Sequence, residues 1–281
     1  MSVLSGGVAV VVGGAGLGAG LGFAMARQFA AAGMRVAVLD IDAEAAANAA
    51  EVLQGEAGNA IGLAADVRHL ESLRLAAAGV EETFGQCNVL CAHVGGGGMG
   101  TIDELSPSDW MAATDLMLGG TVNTVEAFLP LVRKTSGSRH IVLTASIAAL
   151  TPGRFQGPYR AAKAAVTSFG ETLRLELEPE AIGTTIVFPS GMLPPELADF
   201  VRSATEPLSA GGVQGAIAEE MAPDIRDLAT GEEAAQDIVA AVAANEPYLI
   251  THGVTARGIY AARHKDILDA FTRMEGRNGI G

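Results

Sequence analysis

The sequence predicts an α/β fold, a single-domain, doubly wound parallel sheet of the Rossmann type. Short apolar runs alternate with helical segments along most of the chain. These runs are apolar at consecutive positions, which is typical of strands that are buried on both faces of a parallel sheet. A chain of 281 residues, 49% of them hydrophobic, can bury one large core. We therefore treat residues 1–281 as one domain.

The order of the predicted elements supports this fold class. Apolar runs predict strands at 8–12, 35–39, 60–64, 88–92, 140–145, 184–188 and 248–251. Helical periodicity predicts helices at 23–32, 43–53, 69–84, 110–133, 159–177 and 232–243, with a C-terminal helix at about 261–274. The segment at about 190–230 is rich in proline and glycine and has no clear period. We predict that it forms a lid over a substrate.

Charge and cysteine content exclude several classes of function. A net charge of −14 argues against nucleic-acid partners, because these require clustered basic side chains. The apolar N-terminal stretch is interrupted by glycines and has no preceding basic residue, so we predict neither a signal peptide nor a membrane segment. Cys87 and Cys91 are predicted to be buried thiols of a cytoplasmic protein. No histidine or cysteine pair has metal-ligand spacing, so no metal site is predicted.

A glycine-rich turn separates the first predicted strand from the first predicted helix. Residues 12–22 read VGGAGLGAGLG. Glycines let the backbone approach a pyrophosphate, whose charge is balanced by the amides at the helix N-terminus. The pattern predicts a dinucleotide site formed by Gly13, Gly14, Gly18, Gly20 and Leu21.

Asp40 stands at the end of the second predicted strand. A carboxylate here can accept hydrogen bonds from the adenosine ribose hydroxyls, and its charge repels a 2′-phosphate. Asp40 therefore favours NAD over NADP. The alternative is that Asp40 only caps the following helix, for which Asp42 is the better candidate.

Three side chains form a candidate catalytic set. Ser146 follows the predicted strand 140–145, and Tyr159 precedes Lys163 by four residues, which is one helical turn. The ammonium is expected to lower the phenol pKa from about 10, helped by the positive charge of oxidised nicotinamide. Tyr159 would then act as acid or base, with Ser146 holding the substrate oxygen and Lys163 the nicotinamide ribose. The alternative for Tyr159 and Lys163 alone is a solvated helix pair.

Together these residues resemble the short-chain dehydrogenase/reductase family from about residue 5 to the C-terminus. Ser146 and the segment YRAAK at 159–163 match the serine and YxxxK motif of the family at their usual interval. The resemblance implies further cofactor contacts, at Asp66, Val67, Ala92, Pro189 and Gly191. It also implies a homo-oligomer, either a tetramer or a dimer.

The sequence departs from the family pattern in three places. The glycine turn is about three residues longer than usual. The NNAG motif reads AHVG at 92–95, and His93 is interpreted as a core histidine, with a cofactor contact as the alternative. Met117 replaces the family's helix-kinking, water-holding asparagine, which puts the proton relay from the lysine in doubt. Asp115 or Asn123 are alternative relay groups.

The sequence thus predicts an NAD-dependent oxidoreductase that interconverts a mostly apolar secondary alcohol and its ketone. The segment YLITHG at 248–253, followed by a helix, resembles a subgroup with aryl or alicyclic alcohol substrates. Two alternatives remain open. One is a non-catalytic dinucleotide-binding partner or sensor, and the other is an NADP-dependent carbonyl reductase.

Overall fold

A seven-stranded parallel sheet forms the centre of the computed structural model, which describes residues 4–16, 20–96, 99–193 and 228–278. Its strands are β1 Val8–Val12, β2 Arg35–Asp40, β3 Ala60–Ala64, β4 Val89–Ala92, β5 Arg139–Thr144, β6 Ile182–Phe188 and β9 Tyr248–Ile250. Their order is β3-β2-β1-β4-β5-β6-β9, and every neighbouring pair is parallel. Two short strands, β7 Met192–Leu193 and β8 Ala229–Thr230, pair separately. The predicted α/β fold is confirmed.

Helices cover both faces of this sheet. They are α1 Leu21–Ala31, α2 Ala43–Ala57, α3 Leu70–Phe84, α4 Pro107–Thr114, α5 Gly120–Lys134, α6 Ile147–Leu150, α7 Gly157–Leu177, α8 Gly231–Ala244 and α9 Val254–Asn278. The carboxylate of Asp42 accepts hydrogen bonds from the amides of Glu44 and Ala45, so Asp42 is the N-cap of α2, as predicted. Asp40 is therefore available for another role.

The two faces of the sheet have separate apolar cores. Ala9 and Val11 of β1 point into one core, which includes Phe29 of α1. Val8, Val10 and Val12 point into the other, which contains Phe128 of α5. This alternation along a fully buried strand is what helices on both faces require.

Three predicted segments differ in the structure. The helix predicted at 110–133 is divided into α4 and α5 by a π-helical turn, Asp115–Gly119. The C-terminal helix begins earlier than predicted, at Val254, and continues through Gly258 to Asn278. Most of the predicted lid, residues 194–227, lies outside the described residues.

Two further features concern the same described ranges. None of their helices is both long and apolar enough to cross a bilayer, and they contain no group of three metal-binding side chains. Cys87 and Cys91 are buried free thiols, as predicted, and burial raises the pKa of both.

Candidate active site

A cleft of about 660 Å³ opens at the carboxyl ends of β1, β2 and β4. Parallel strands place their carboxyl ends on one edge of the sheet, so residues that are distant in sequence meet there. Five predicted cofactor residues line this cleft, namely Gly13, Gly20, Asp40, Asp66 and Val67. The sequence analysis did not assign other lining residues, including Gly16, Gly22 and Arg68, and it gave a cofactor contact for His93 only as an alternative.

Two glycines are required by close backbone packing at this cleft. Gly13 has a φ of 77°, and a Cβ there would overlap the carbonyl oxygen of His93. A Cβ on Gly22 would overlap the carbonyl oxygen of Gly13. A side chain at Gly22 would push α1 away from the glycine turn, and one at Gly13 would push the turn away from the end of β4. Glycine at both positions therefore keeps the helix N-terminus at the cleft.

Several predicted cofactor residues are not exposed in the cleft. Gly14, Leu21 and Ala92 are buried in the core, where they pack the turn and β4 against the rest of the sheet. The amides of Gly13 and Gly14 both donate to the carbonyl of Leu39, at 2.8 and 3.2 Å. Burial thus gives Gly14, Leu21 and Ala92 a packing role in the described structure, and their contacts with a cofactor stay predictions. Gly18 lies outside the described residues.

Asp40 links the end of β2 to the glycine turn. Its Oδ2 accepts a hydrogen bond from the amide of Ala15 at 3.2 Å, and its Oδ1 accepts one from Asp42 at 3.3 Å. The carboxylate remains at the cleft surface, where a ribose can reach it.

Asp66 is neutralised by a neighbour that the sequence analysis missed. Arg68 donates two hydrogen bonds to its carboxylate, at 2.9 and 2.6 Å. These hydrogen bonds lower the pKa of Asp66 to about 2. The carbonyl of the adjacent Val67 accepts a hydrogen bond from Asn123 at 2.9 Å. This end of the cleft is thus fixed by contacts between β3, α3 and α5.

The three predicted catalytic side chains meet beside the cleft. Ser146 follows β5 and caps α6, where its hydroxyl accepts from the amide of Ala148 at 3.2 Å. Tyr159 lies in the first turn of α7. Burial raises the pKa of its phenol, and a hydrogen bond with the Ser146 hydroxyl opposes this with a smaller lowering. Lys163 lies one turn later, with its Nζ 5.9 Å from the centre of the Tyr159 ring. The sequence spacing and the fold therefore agree.

Lys163 is almost completely buried, with 2% of its surface exposed. Its Nζ donates hydrogen bonds of 2.7 Å to the carbonyls of Val94 and Thr144, which follow β4 and end β5. Burial lowers its pKa to about 8. An ammonium has three N–H donors. Among the described residues these two carbonyls are its hydrogen-bond acceptors, so the third N–H is available to a ligand.

The expected lowering of the Tyr159 pKa is not found in the protein alone. Burial raises this pKa, and the opposing contributions from Ser146 and Arg160 are smaller. The physical reason is that the phenolate would be desolvated, while the Lys163 ammonium is directed at two backbone carbonyls. Tyr159 is consequently a protonated phenol near neutral pH.

Comparison with known proteins decides the family. The model of the short chain dehydrogenase family matches residues 7–205. The chain belongs to the short-chain dehydrogenase/reductase family. It is 31% identical over 186 residues to "C alpha-dehydrogenase" of Sphingobium sp., a match that covers 66% of this chain and 60% of that protein's length.

Solved structures of this family have the same architecture. A short-chain dehydrogenase/reductase from Burkholderia phymatum in complex with NAD has a TM-score of 0.80 and 28% identity, over 95% of this chain and 96% of that one. L-sorbose reductase from Gluconobacter frateurii, complexed with NADPH and L-sorbose, has a TM-score of 0.75 and 26% identity, over 90% and 98%. This chain therefore has the fold of an oxidoreductase family. The two similar structures contain NAD and NADPH, respectively.

Met117 occupies the π-helical turn between α4 and α5. Its side chain is fully buried against Ala113 and Ala162, and its carbonyl accepts a hydrogen bond of 2.6 Å from the Thr121 hydroxyl. The helix thus deviates from α geometry without the usual asparagine of the short-chain dehydrogenases. Asn123, one of the alternative relay groups, donates to Val67, and Asp115 is exposed.

The turn after β6 lies behind Ser146. The carbonyl of Pro189 accepts from the Ile147 amide at 2.9 Å and from the Ser146 hydroxyl at 3.5 Å. The carbonyl of Gly191 lies 2.8 Å from Nε2 of His252, which the sequence analysis did not assign. Pro189 therefore holds Ser146 in place, whereas Gly191 contacts His252. The contacts of Pro189 and Gly191 with a cofactor stay predictions.

His140 is expected to make this dehydrogenase fold less stable in mild acid. It is 5% exposed, its Nε2 lies 2.8 Å from the Thr185 hydroxyl, and burial lowers its pKa to about 4. Because the unfolded chain binds this proton near pH 6.5, stability falls as the pH drops from about 6.5 towards 4. We expect this group to lower the free energy of unfolding by about 2 kcal/mol between pH 7 and pH 5. Urea unfolding of wild type and His140→Gln at both pH values measures it, and equal losses in both proteins would contradict it.

Proposed function

We propose that this protein is an NAD-dependent oxidoreductase that interconverts a mostly apolar secondary alcohol and its ketone. The observation that carries the proposal is the placement of the Tyr159 phenol beside the Ser146 hydroxyl and the buried Lys163 ammonium, next to the glycine-lined cleft. Membership of the short-chain dehydrogenase/reductase family and the similarity to C alpha-dehydrogenase support it. We also propose that it acts as a homo-oligomer, as the resemblance to the family implies, and that it is cytoplasmic, which its two free thiols support.

The residues of the cleft fit a dinucleotide. A volume of about 660 Å³ is within the range of small-molecule sites. The N-terminus of α1, at Gly20, has no side-chain cap, so its amides can receive a pyrophosphate. Asp40 and Val67 would hold the adenosine end and Lys163 the nicotinamide ribose. A bound nicotinamide supplies the hydride acceptor for alcohol oxidation and the hydride donor for carbonyl reduction.

The side chains of this protein would perform the proton chemistry. Ser146 orients the substrate oxygen towards Tyr159. In carbonyl reduction the protonated phenol gives its proton to that oxygen, and in alcohol oxidation the phenolate takes it back. Because burial raises the pKa of Tyr159, the protonated form is ready for reduction near neutral pH.

Direct assay of the wild-type protein tests this function. Reduced nicotinamide absorbance would be followed with a panel of aryl and alicyclic secondary alcohols and their ketones, using NAD(H) and NADP(H) in parallel. We expect turnover with NAD(H), and turnover about 10³-fold slower in a protein that lacks the Tyr159 hydroxyl. NAD binding by calorimetry without turnover across the panel would instead favour the non-catalytic sensor. Met117, in place of the usual asparagine, is the observation that favours that second function.

Asp40 is expected to determine the preference for NAD. Its carboxylate would repel the 2′-phosphate of NADP, and like charges brought together cost several kcal/mol. Replacement of Asp40 by Ser should therefore lower the ratio of kcat/KM for NAD to that for NADP by roughly 100-fold. Measuring a ratio removes the effect of losing the hydrogen bond to Ala15.

Asp42→Ser is the matched control for this change. Asp42 is exposed and caps α2, and serine preserves such a cap. The cofactor ratio should stay at its wild-type value in this variant. An unchanged ratio in Asp40→Ser would exclude the proposed role of the carboxylate.

A further inference from the structure

His93 directly follows β4, the strand that lies between β1 and β5 in the sheet. Its backbone amide donates to the carbonyl of Val12 at 3.1 Å, which fixes it beside the first strand. Its Nδ1 lies 3.2 Å from the hydroxyl of Thr144, at the end of β5. The backbone of His93 is therefore held by β1 and its ring by β5, at the edge where the cleft opens.

The opposite edge of the ring faces the glycine turn. A Cβ on Gly13 would lie 3.6 Å from Cδ2 of His93, and both residues line the cleft. Nε2 is bonded to Cδ2, the ring atom near Gly13, and lies across the ring from Nδ1, the atom that contacts Thr144. Nε2 is therefore on the side of the ring that faces the cleft. Within the described ranges Nε2 makes no hydrogen bond.

The ring also shares its supports with the catalytic lysine. Lys163 donates to the carbonyls of Thr144 and Val94, while Thr144 contacts the His93 ring and Val94 follows His93 in sequence. Asp40 and Asp66 lie towards the other end of the cleft, on β2 and after β3. His93 is thus placed at the half of the cleft that contains the catalytic groups.

The imidazole is neutral under ordinary conditions. Burial, with a smaller contribution from the charge of Lys163, lowers its pKa to about 4. A neutral imidazole has one donor and one acceptor. When Nδ1 accepts from the Thr144 hydroxyl, Nε2 carries the hydrogen and can donate to an oxygen of a ligand.

We propose that His93 is a cofactor-binding residue whose Nε2 donates a hydrogen bond to an oxygen of the nicotinamide mononucleotide half of the dinucleotide. This inference rests on the proposed function, because it requires a dinucleotide in the cleft. It replaces the interpretation of His93 as only a core histidine. The contact adds a side-chain donor between the glycine turn and Lys163.

Two substitutions separate the two nitrogen atoms of the ring. Asparagine places its amide near the position of Nδ1, so His93→Asn can retain the contact with Thr144 but has no group at Nε2. Glutamine reaches the position of Nε2, so His93→Gln can supply the donor to the ligand. The two variants therefore distinguish support of the fold from binding of the cofactor.

Fluorescence titration with NADH and calorimetry with ADP-ribose and AMP provide the test. We expect His93→Asn to lower the affinity for NADH and for ADP-ribose about tenfold, which is the effect of one hydrogen bond. The affinity for AMP should change less than about twofold. His93→Gln should recover most of the affinity for NADH. An Asn variant that binds NADH like the wild type, equal weakening of all three ligands, or no recovery with Gln would each overturn the inference.

His140→Asn is the matched control, because His140 is also a buried, neutral histidine that contacts a threonine hydroxyl, but at the opposite end of β5. It should lower the thermal stability and leave the affinity for NADH unchanged. A wild-type protein that binds neither NADH nor ADP-ribose would refute the proposed function itself. Binding by the wild type with an unaffected Asn variant would refute only the role of His93.

Discussion

Replacement of Tyr159 by Phe is expected to lower kcat by about 10³-fold, within the range that general acid–base catalysis contributes. The substitution removes the hydroxyl that we propose exchanges a proton with the substrate oxygen. It leaves the aromatic ring in place, so packing against Met117 and the position of Lys163 should persist. Steady-state kinetics in both directions, with NADH affinity measured by fluorescence, check the result. The affinity should change less than about twofold, since Phe keeps the ring.

Tyr260→Phe is the control for this substitution. It removes the same atom from a tyrosine on α9, whose ring packs against His264. Its kcat should remain at the wild-type value. Turnover by Tyr159→Phe at the wild-type rate would show that another group transfers the proton and would end the proposed mechanism.

Gly13→Ala is expected to cost about 3 kcal/mol of folding stability and to weaken NADH binding at least tenfold, roughly the effect of strain plus overpacking. The added Cβ would overlap the carbonyl of His93 in a backbone with a φ of 77°, so β4 or the glycine turn must move. Either movement displaces a wall of the cleft. Urea unfolding and NADH titration measure the two effects.

Gly85→Ala isolates the contribution of the backbone angle. Gly85 ends α3 with a φ of 74°, and a Cβ there would meet no atom within 4 Å. It should lose only about 1 kcal/mol, the cost of a left-handed residue, with unchanged NADH affinity. Equal losses in the two variants would show that the close contact of Gly13 with His93 is unimportant.

Much of the fold could be predicted because it depends on local patterns. Consecutive apolar residues at 8–12 and 36–39 indicated strands buried on both faces, and the structure has β1 and β2 there. The side chain of Asp42 satisfies amides only two and three residues away, so its cap could also be predicted. The π-helical turn at Asp115–Gly119 could not, because it keeps the apolar periodicity of an ordinary helix.

The candidate site divides in the same way. The one-turn spacing of Tyr159 and Lys163 places them on a common helix face, and Ser146 follows a strand that its apolar run predicts. Burial is not encoded in such spacing, so the direction of the Tyr159 pKa was wrong. Likewise, Gly14 and Ala92 belong to motif segments, but their burial in the core depends on which face of the sheet meets the helices.

By itself the sequence determined the alternation of strands and helices, the glycine turn, the acidic residue after the second strand, and the order of the catalytic side chains. These features depend on residues within one or two turns of each other. Only the tertiary structure decided that the carbonyls of Thr144 and Val94 hold the Lys163 ammonium. The same is true of the contact between Thr144 and His93 and of the neutralisation of Asp66 by Arg68. The reason is that parallel strands from distant parts of the chain meet at one edge, where hydrogen bonding and desolvation are set by neighbours that no local pattern identifies.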